Sequence, residues 1–196
     1  MLKVGLSGGI GSGKTTVARF FQILGINIYF ADERAKFLID NNKEVIDKIK
    51  LYFGQIYTPQ GIDKKKLAAI IFTNPEKLET INSIVHPAVR KDFDNWCNQF
   101  QNEKYVIQEA AILFESGFYK FMDKTIAVSA EMEERIDRVM KRNGVSKKQV
   151  IERINNQISD DERNKLSDFV IKNDNSNLVI PQILKIHQEL ISYSSF

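Results

Sequence analysis

Eight consecutive residues, Gly8-Gly9-Ile10-Gly11-Ser12-Gly13-Lys14-Thr15, match the pattern G-x-x-x-x-G-K-[ST] at every defined position. Their types suit one task, the gripping of a polyphosphate. Successive backbone N–H groups in a tight loop can point at an anion only where side chains do not crowd the approach, and Gly8, Gly9, Gly11 and Gly13 leave that room. The loop, with Ser12 inside it and Thr16 just beyond, runs into a helix start, whose unpaired N–H groups and dipole favour negative charge. Lys14 is placed to reach the β- and γ-phosphates of ATP, and the Thr15 hydroxyl to ligate Mg²⁺. A dinucleotide fingerprint does not fit. In the nearest register, beginning at Gly9, Lys14 falls where the third glycine belongs.

Other residues have chemistry to offer that site. Asp32 follows Phe30-Ala31 at the end of an apolar run. A carboxylate there can accept the proton of an attacking hydroxyl, or cap a helix beginning near Glu33. Arg135, Arg138 and Arg142 recur at i, i+3, i+7, with Met132, Ile136, Val139 and Met140 supplying an apolar side. That stripe reads as a solvated basic face or as guanidinium groups that neutralise a transferred phosphoryl. Arg153 and Gln157, four apart, share a face of the next helix. His86-Pro87 reads as the opening of a helix carrying Val89, Phe93 and Trp96, with His86 a cap or a packing residue. His187 reads as structural, and Cys97 as packing in an aromatic stretch. No His, Cys or carboxylate cluster has metal-ligand spacing, so Mg²⁺ is expected to arrive with the nucleotide.

Missing motifs narrow the class. No N-K-x-D is present to read guanine. Val106-Ile107-Gln108-Glu109 comes nearest to the Asp-Glu strand of a motor ATPase, but carries Gln in the aspartate's place. A small-molecule kinase remains; the alternatives are another small acceptor, or a nucleotide-dependent regulatory protein with none.

Positioning these groups requires a sheet. Short, nearly continuous apolar or β-branched runs at 2–7, 26–30, 104–108, 124–128 and 168–172 read as strands buried on both faces, with helices between, hence a parallel α/β sheet. After the loop, Val17, Phe20, Phe21 and Leu24 mark a buried helix face, and Gly25 is the expected C′ residue. Asn74-Pro75 starts a helix, and Ser146-x-x-Gln149 and Ser159-x-x-Glu162 have capping-box spacing. The intervals 32–103 and 129–167 are too long for simple crossovers. Both are helical, neither is rich in proline or glycine, and both are expected as ordered inserts at the C-terminal edge of the sheet.

The chain has 196 residues, 43% hydrophobic and 27% charged, with a net charge of +3. These values suit a single cytoplasmic globular domain. Basic residues are dispersed, so nucleic acid is not expected as a partner, and no apolar run is long enough for a membrane span. A monomer or small homo-oligomer acting on small molecules is expected.

Taken together the motifs resemble the dephospho-coenzyme A kinase family, over nearly the whole chain. The resemblance is carried by Gly8 to Ala18, by Leu24-Gly25-Ile26 leading to Ala31-Asp32, by Phe72-x-Asn74-Pro75 and by Ile84-Val85-His86-Pro87. Further along it is carried by Ile112-Leu113-Phe114-Glu115, Arg138 to Arg142, Arg153 to Gln157 and Val170-Ile171-Lys172-Asn173. It implies a five-stranded parallel core (about 1–31, 104–128 and 168–196), a helical substrate-binding insert (about 32–103) and a helical lid (about 129–167). It implies ATP-dependent phosphorylation of the ribose 3′-hydroxyl of dephospho-coenzyme A. Asp32 would be the base, with Lys14 and Arg142 also catalytic. Gly9, Gly11, Ser12, Gly13, Thr15, Thr16, Arg138 and Asn173 would complete the ATP site. Lys36, His86, Leu113, Glu115 and Gln157 would lie with Asp32 at the acceptor. Arg135 falls outside the matched pair and is expected to matter less than Arg142. The chain departs from the family pattern at Phe30 (aspartate in the family), Lys36 (arginine), Glu109-Ala110-Ala111 (often with proline) and Asn175 (glycine).

Overall fold

The computed structural model describes residues 1–174 and 176–193; Asn175 lies outside them. In chain order the elements are β1 (Leu2–Gly8), α1 (Lys14–Ile23), β2 (Ile28–Phe30), α2 (Ala31–Asn41), α3 (Lys43–Phe53), β3 (Tyr57–Thr58), β4 (Gly61–Ile62), α4 (Lys64–Thr73) and α5 (Pro75–Cys97). There follow β5 (Tyr105–Glu109), β6 (Lys124–Ser129), α6 (Met132–Asn143), α7 (Lys147–Asn155), α8 (Asp160–Leu166), β7 (Phe169–Lys172) and α9 (Val179–Tyr193). Short 3₁₀ turns lie at Asn98–Phe100 and Phe118–Phe121. The chain divides into two compact units. One holds residues 1–30 and 100 onward; the other is Ala31–Gln99.

The first unit is built on a five-stranded sheet in the order β2-β5-β1-β6-β7. Every pairing is parallel, with Val4 opposite both Ile107 and Lys124. The apolar runs form strands because both faces are covered. On one face Val4, Leu6, Ile107, Ile126, Val128 and Ile171 pack against Val17, Ala18 and Phe21 of α1 and Ile183, Ile186 and Leu190 of α9. On the other, Gly5 admits Leu113, whose Cδ2 would lie 2.6 Å from a Cβ at that position. α1 ends as the glycine predicts. Gly25 has φ +87°, its N–H donates to Gln22 O, and the Ile26 N–H donates to Phe21 O, the two bonds of a Schellman turn. Ser146 and Gln149 form a reciprocal capping box on α7, and the Ser159 hydroxyl accepts the Glu162 N–H on α8. The second strand is shorter than its apolar run, because Ile26 closes the turn instead of joining the sheet.

The second unit is helical, around Leu38, Val45, Ile49, Ile84, Val89 and Phe93. A bidentate pair between Arg34 and Asp92 (2.7 and 2.8 Å) ties α2 to α5. Two features depart from expectation. Pro87 does not open a helix; α5 starts at Pro75, capped by the Asn74 side chain, and continues through Pro87, so His86 lies mid-helix. The hairpin of β3 and β4 is too short to give an alternating pattern, and it is pinned by Asp40 Oδ1, which accepts the Ile62 N–H at 2.9 Å. Among the described residues no helix is long and apolar enough to cross a membrane.

Candidate active site

The loop between β1 and α1 sits at the C-terminal edge of the sheet, where parallel strands leave room for ligands. Gly11 and Gly13 have φ of +81° and +92°, conformations that side chains resist. Gly13 caps α1, so Lys14, Thr15 and Thr16 form the helix's first turn. Lys14 Nζ lies 3.1 Å from Glu109 Oε1, and Thr15 Oγ1 lies 3.5 Å from the same oxygen. Glu109 ends β5 and is 4% exposed. It brings a buried carboxylate beside the loop's lysine and hydroxyl. Reading its strand against a motor-ATPase pattern missed it. The useful signal was its place as the last residue of a buried strand neighbouring the loop strand.

The loop faces a cleft of about 220 Å³, lined by its glycines, Lys14, Thr15, Thr16, Arg138 and Arg142. Five ammonium, guanidinium and hydroxyl side chains and a helix N-terminus thus converge on one space, the arrangement a polyphosphate requires. Arg138 Nη2 donates to Glu134 Oε2 (2.9 Å) and to Asn173 O (3.1 Å). Arg142 Nε donates to Asn143 Oδ1 at 3.0 Å.

A family model described as dephospho-CoA kinase (CoaE) matches residues 2–178. The chain belongs to the dephospho-CoA kinase family. It is 38% identical over 198 residues to a dephospho-CoA kinase of Bacillus licheniformis, covering 99% of this chain and 98% of that one. It is 40% identical over 177 residues to one from Fusobacterium nucleatum subsp. nucleatum, covering 89% and 90%. Among solved structures, TT1252 from Thermus thermophilus superposes with a TM-score of 0.84 at 28% identity, over 98% of this chain and 97% of that chain. A dephospho-CoA kinase from Campylobacter jejuni gives 0.72 at 28%, over 97% of each. Shikimate kinase from Acinetobacter baumannii, at 0.54 and 16% with 100% and 96% covered, shares the fold.

The residues carried over from the family motifs take several kinds of position. Asn173 continues from β7 to the loop: its Nδ2 donates to Ser12 O and its own N–H to Ser129 O, each at 2.7 Å. Ser12 is 1% exposed, with its hydroxyl enclosed against β1. Gln157 lies past the end of α7, not on a face shared with Arg153, and its Oε1 accepts the Ile10 N–H at 2.8 Å. Glu115 Oε1 accepts the Ile158 N–H at 3.3 Å and lies 3.8 Å from Arg163. Leu113, expected at the acceptor, is fully buried and packs against Gly5. In the helical unit, Asp32 falls in the first turn of α2 and does not cap it, Lys36 is exposed, and burial lowers the His86 pKa.

The arginine stripe divides. Arg138 and Arg142 line the cleft, but Arg135 is 3% exposed and belongs to the buried side of α6 with Ile136 and Val139. Its Nε donates to Ile10 O at 2.9 Å and its Nη1 pairs with Asp160. Burial lowers its pKa, and Asp160 opposes that shift. The stripe is continuous along α6, but only its first turn passes behind the phosphate loop. Helical spacing cannot show which turn does.

Proposed function

We propose that this chain transfers the γ-phosphoryl group of ATP to the ribose 3′-hydroxyl of dephospho-CoA, the final step of CoA biosynthesis, and does so in the cytoplasm. The observation that carries the reading is the loop cleft, with Lys14, Arg138 and Arg142 around it, in a chain matched to the family over residues 2–178.

The helix N-terminus and the loop hold the phosphates, and Lys14 reaches the β- and γ-oxygens. Arg138 and Arg142 neutralise charge that grows on the γ-phosphoryl group as it transfers. The site suits Mg²⁺, because Thr15 Oγ1 and the Glu109 carboxylate bring two oxygen donors together. Thr15 would hold the ion with Glu109 beside it, and the ion's charge would offset that of the β- and γ-phosphates. Asp32, two residues past the end of β2, accepts the 3′-hydroxyl proton as the ribose oxygen bonds to phosphorus and the bond to the ADP oxygen breaks. Lys36, His86, Glu115 and Gln157 serve the acceptor, and Asn173 the adenine side. Lys36 offers a point charge where the family's arginine offers a fork.

The test is mass spectrometry of dephospho-CoA after incubation with the protein, ATP and Mg²⁺. One added phosphoryl group at the 3′ position, with ADP formed in equal amount, is expected. ADP formation that no acceptor stimulates would overturn the reading.

A further inference from the structure

Ile10, at the tip of the phosphate loop, is held through all of its groups. Its N–H donates to Gln157 Oε1 at 2.8 Å, and its carbonyl accepts from Arg135 Nε at 2.9 Å. Its side chain packs with Ile136, Val139 and Val150, the small core between α6 and α7. Arg135 is itself fixed. Its Nη1 pairs with one oxygen of Asp160, and the other oxygen takes Arg163 Nη1. Arg163 is 1% exposed and donates to Ile158 O at 3.0 Å. A Cβ on Gly9 would strike the Arg135 guanidinium, and one on Gly11 would strike the Arg135 main-chain carbonyl. Two of the motif's glycines are therefore required by Arg135 behind the loop as well as by phosphate in front of it.

We infer that Arg135 is a positioning residue for phosphoryl transfer: oriented by Asp160, it holds the Ile10 peptide so that the loop keeps one shape before nucleotide binds. The inference rests on the phosphate-loop reading above. Donors set in advance need no reorganisation during the reaction. The guanidinium is suited to the task because one rigid plane can serve a carbonyl through Nε and a carboxylate through Nη1. A lysine ammonium offers a single nitrogen on a flexible stem.

The experiment compares Arg135→Lys and Asp160→Asn with the wild type by MgADP titration calorimetry, steady-state kinetics in both substrates and thermal unfolding. Wild-type protein that neither binds MgADP nor phosphorylates dephospho-CoA would overturn the functional reading, and this inference with it. Given an active wild type, Arg135→Lys is expected to weaken MgADP binding and to lower kcat/KM for ATP by about 10²-fold, the scale of a roughly 1 Å misplacement. KM for dephospho-CoA should not change. Asp160→Asn should move the same parameters in the same direction by less. A folded Arg135→Lys with wild-type MgADP affinity and wild-type kcat/KM for ATP would overturn the inference. So would a lowered Tm with unchanged ATP parameters, which assigns Arg135 to packing alone. If Arg135→Lys does not fold, Asp160→Asn decides by the same readings, since Asp160 lies at the partly exposed start of α8.

Discussion

Lys14, Thr15 and Glu109 meet within 3.5 Å because the last residue of β5 and the first turn of α1 share one edge of the sheet. The roles proposed for the site residues differ, so substitutions among them should separate by kinetic parameter. Asp32 is assigned the proton of the acceptor and no contact with nucleotide. Asp32→Asn should therefore leave MgADP affinity unchanged and lower kcat by roughly 10²- to 10⁴-fold, the usual contribution of a general base. Calorimetry beside single-turnover kinetics checks both halves, and near-normal turnover would remove Asp32 from the role. Lys14 and Glu109 were within reach of sequence reading to different degrees. Lys14 lies inside a contiguous motif. Glu109 lies on a neighbouring strand, 95 residues from Lys14 in the chain, and only the register of Leu6 with Glu109 brings it to the loop.

At the level of elements, local chemistry sets the boundaries and packing sets the rest. Gly25→Ala should destabilise by about 1 kcal/mol, because φ is +87° there and only glycine adopts it freely. No atom crowds the position, so urea unfolding would report backbone strain alone. α9 is joined to β5 by Tyr105 and His187, whose hydroxyl and Nδ1 are 2.7 Å apart. Burial raises the Tyr105 pKa. Burial lowers the pKa of both His187 and His86. The unfolded chain then binds more protons than the folded one as pH falls below about 6.5, so stability falls with it and levels off below the folded values. Tm should drop between pH 7.5 and 5.5, and drop less in His187→Gln; a pH-independent Tm in the wild type would refute this. The short β3–β4 hairpin and the passage of α5 through Pro87 left no reliable trace in the residue pattern. The hairpin is held by Asp40 from another element, and a proline at a helix start and one inside a helix differ only in what surrounds them.

For the molecule as a whole, nucleotide binding should appear as stability. MgADP at about 100 times its Kd should add about 2.7 kcal/mol to the unit that binds it. For a chain of this size that is a rise in Tm of roughly 5–10 °C. Lys14→Ala should still unfold cooperatively but lose most of the rise; an equal rise in both proteins would place nucleotide somewhere other than the loop. The chain on its own determined that a phosphate loop lies between a buried strand and an amphipathic helix, that the sheet is parallel, and where the main helices are capped. The loop and the caps follow from interactions between residues a few positions apart, and the parallel sheet from apolar runs alternating with helices, so the linear pattern carries them. Tertiary structure alone decided that Arg135 turns inward while Arg138 and Arg142 line the cleft, that Leu113 is packing under Gly5, and that Gln157 and Asn173 hold the loop's backbone. Those outcomes depend on which residues the fold brings against a loop or strand more than a hundred residues earlier, and for the arginines on which turn of α6 lies there. Helical period repeats identically on every turn and cannot single one out.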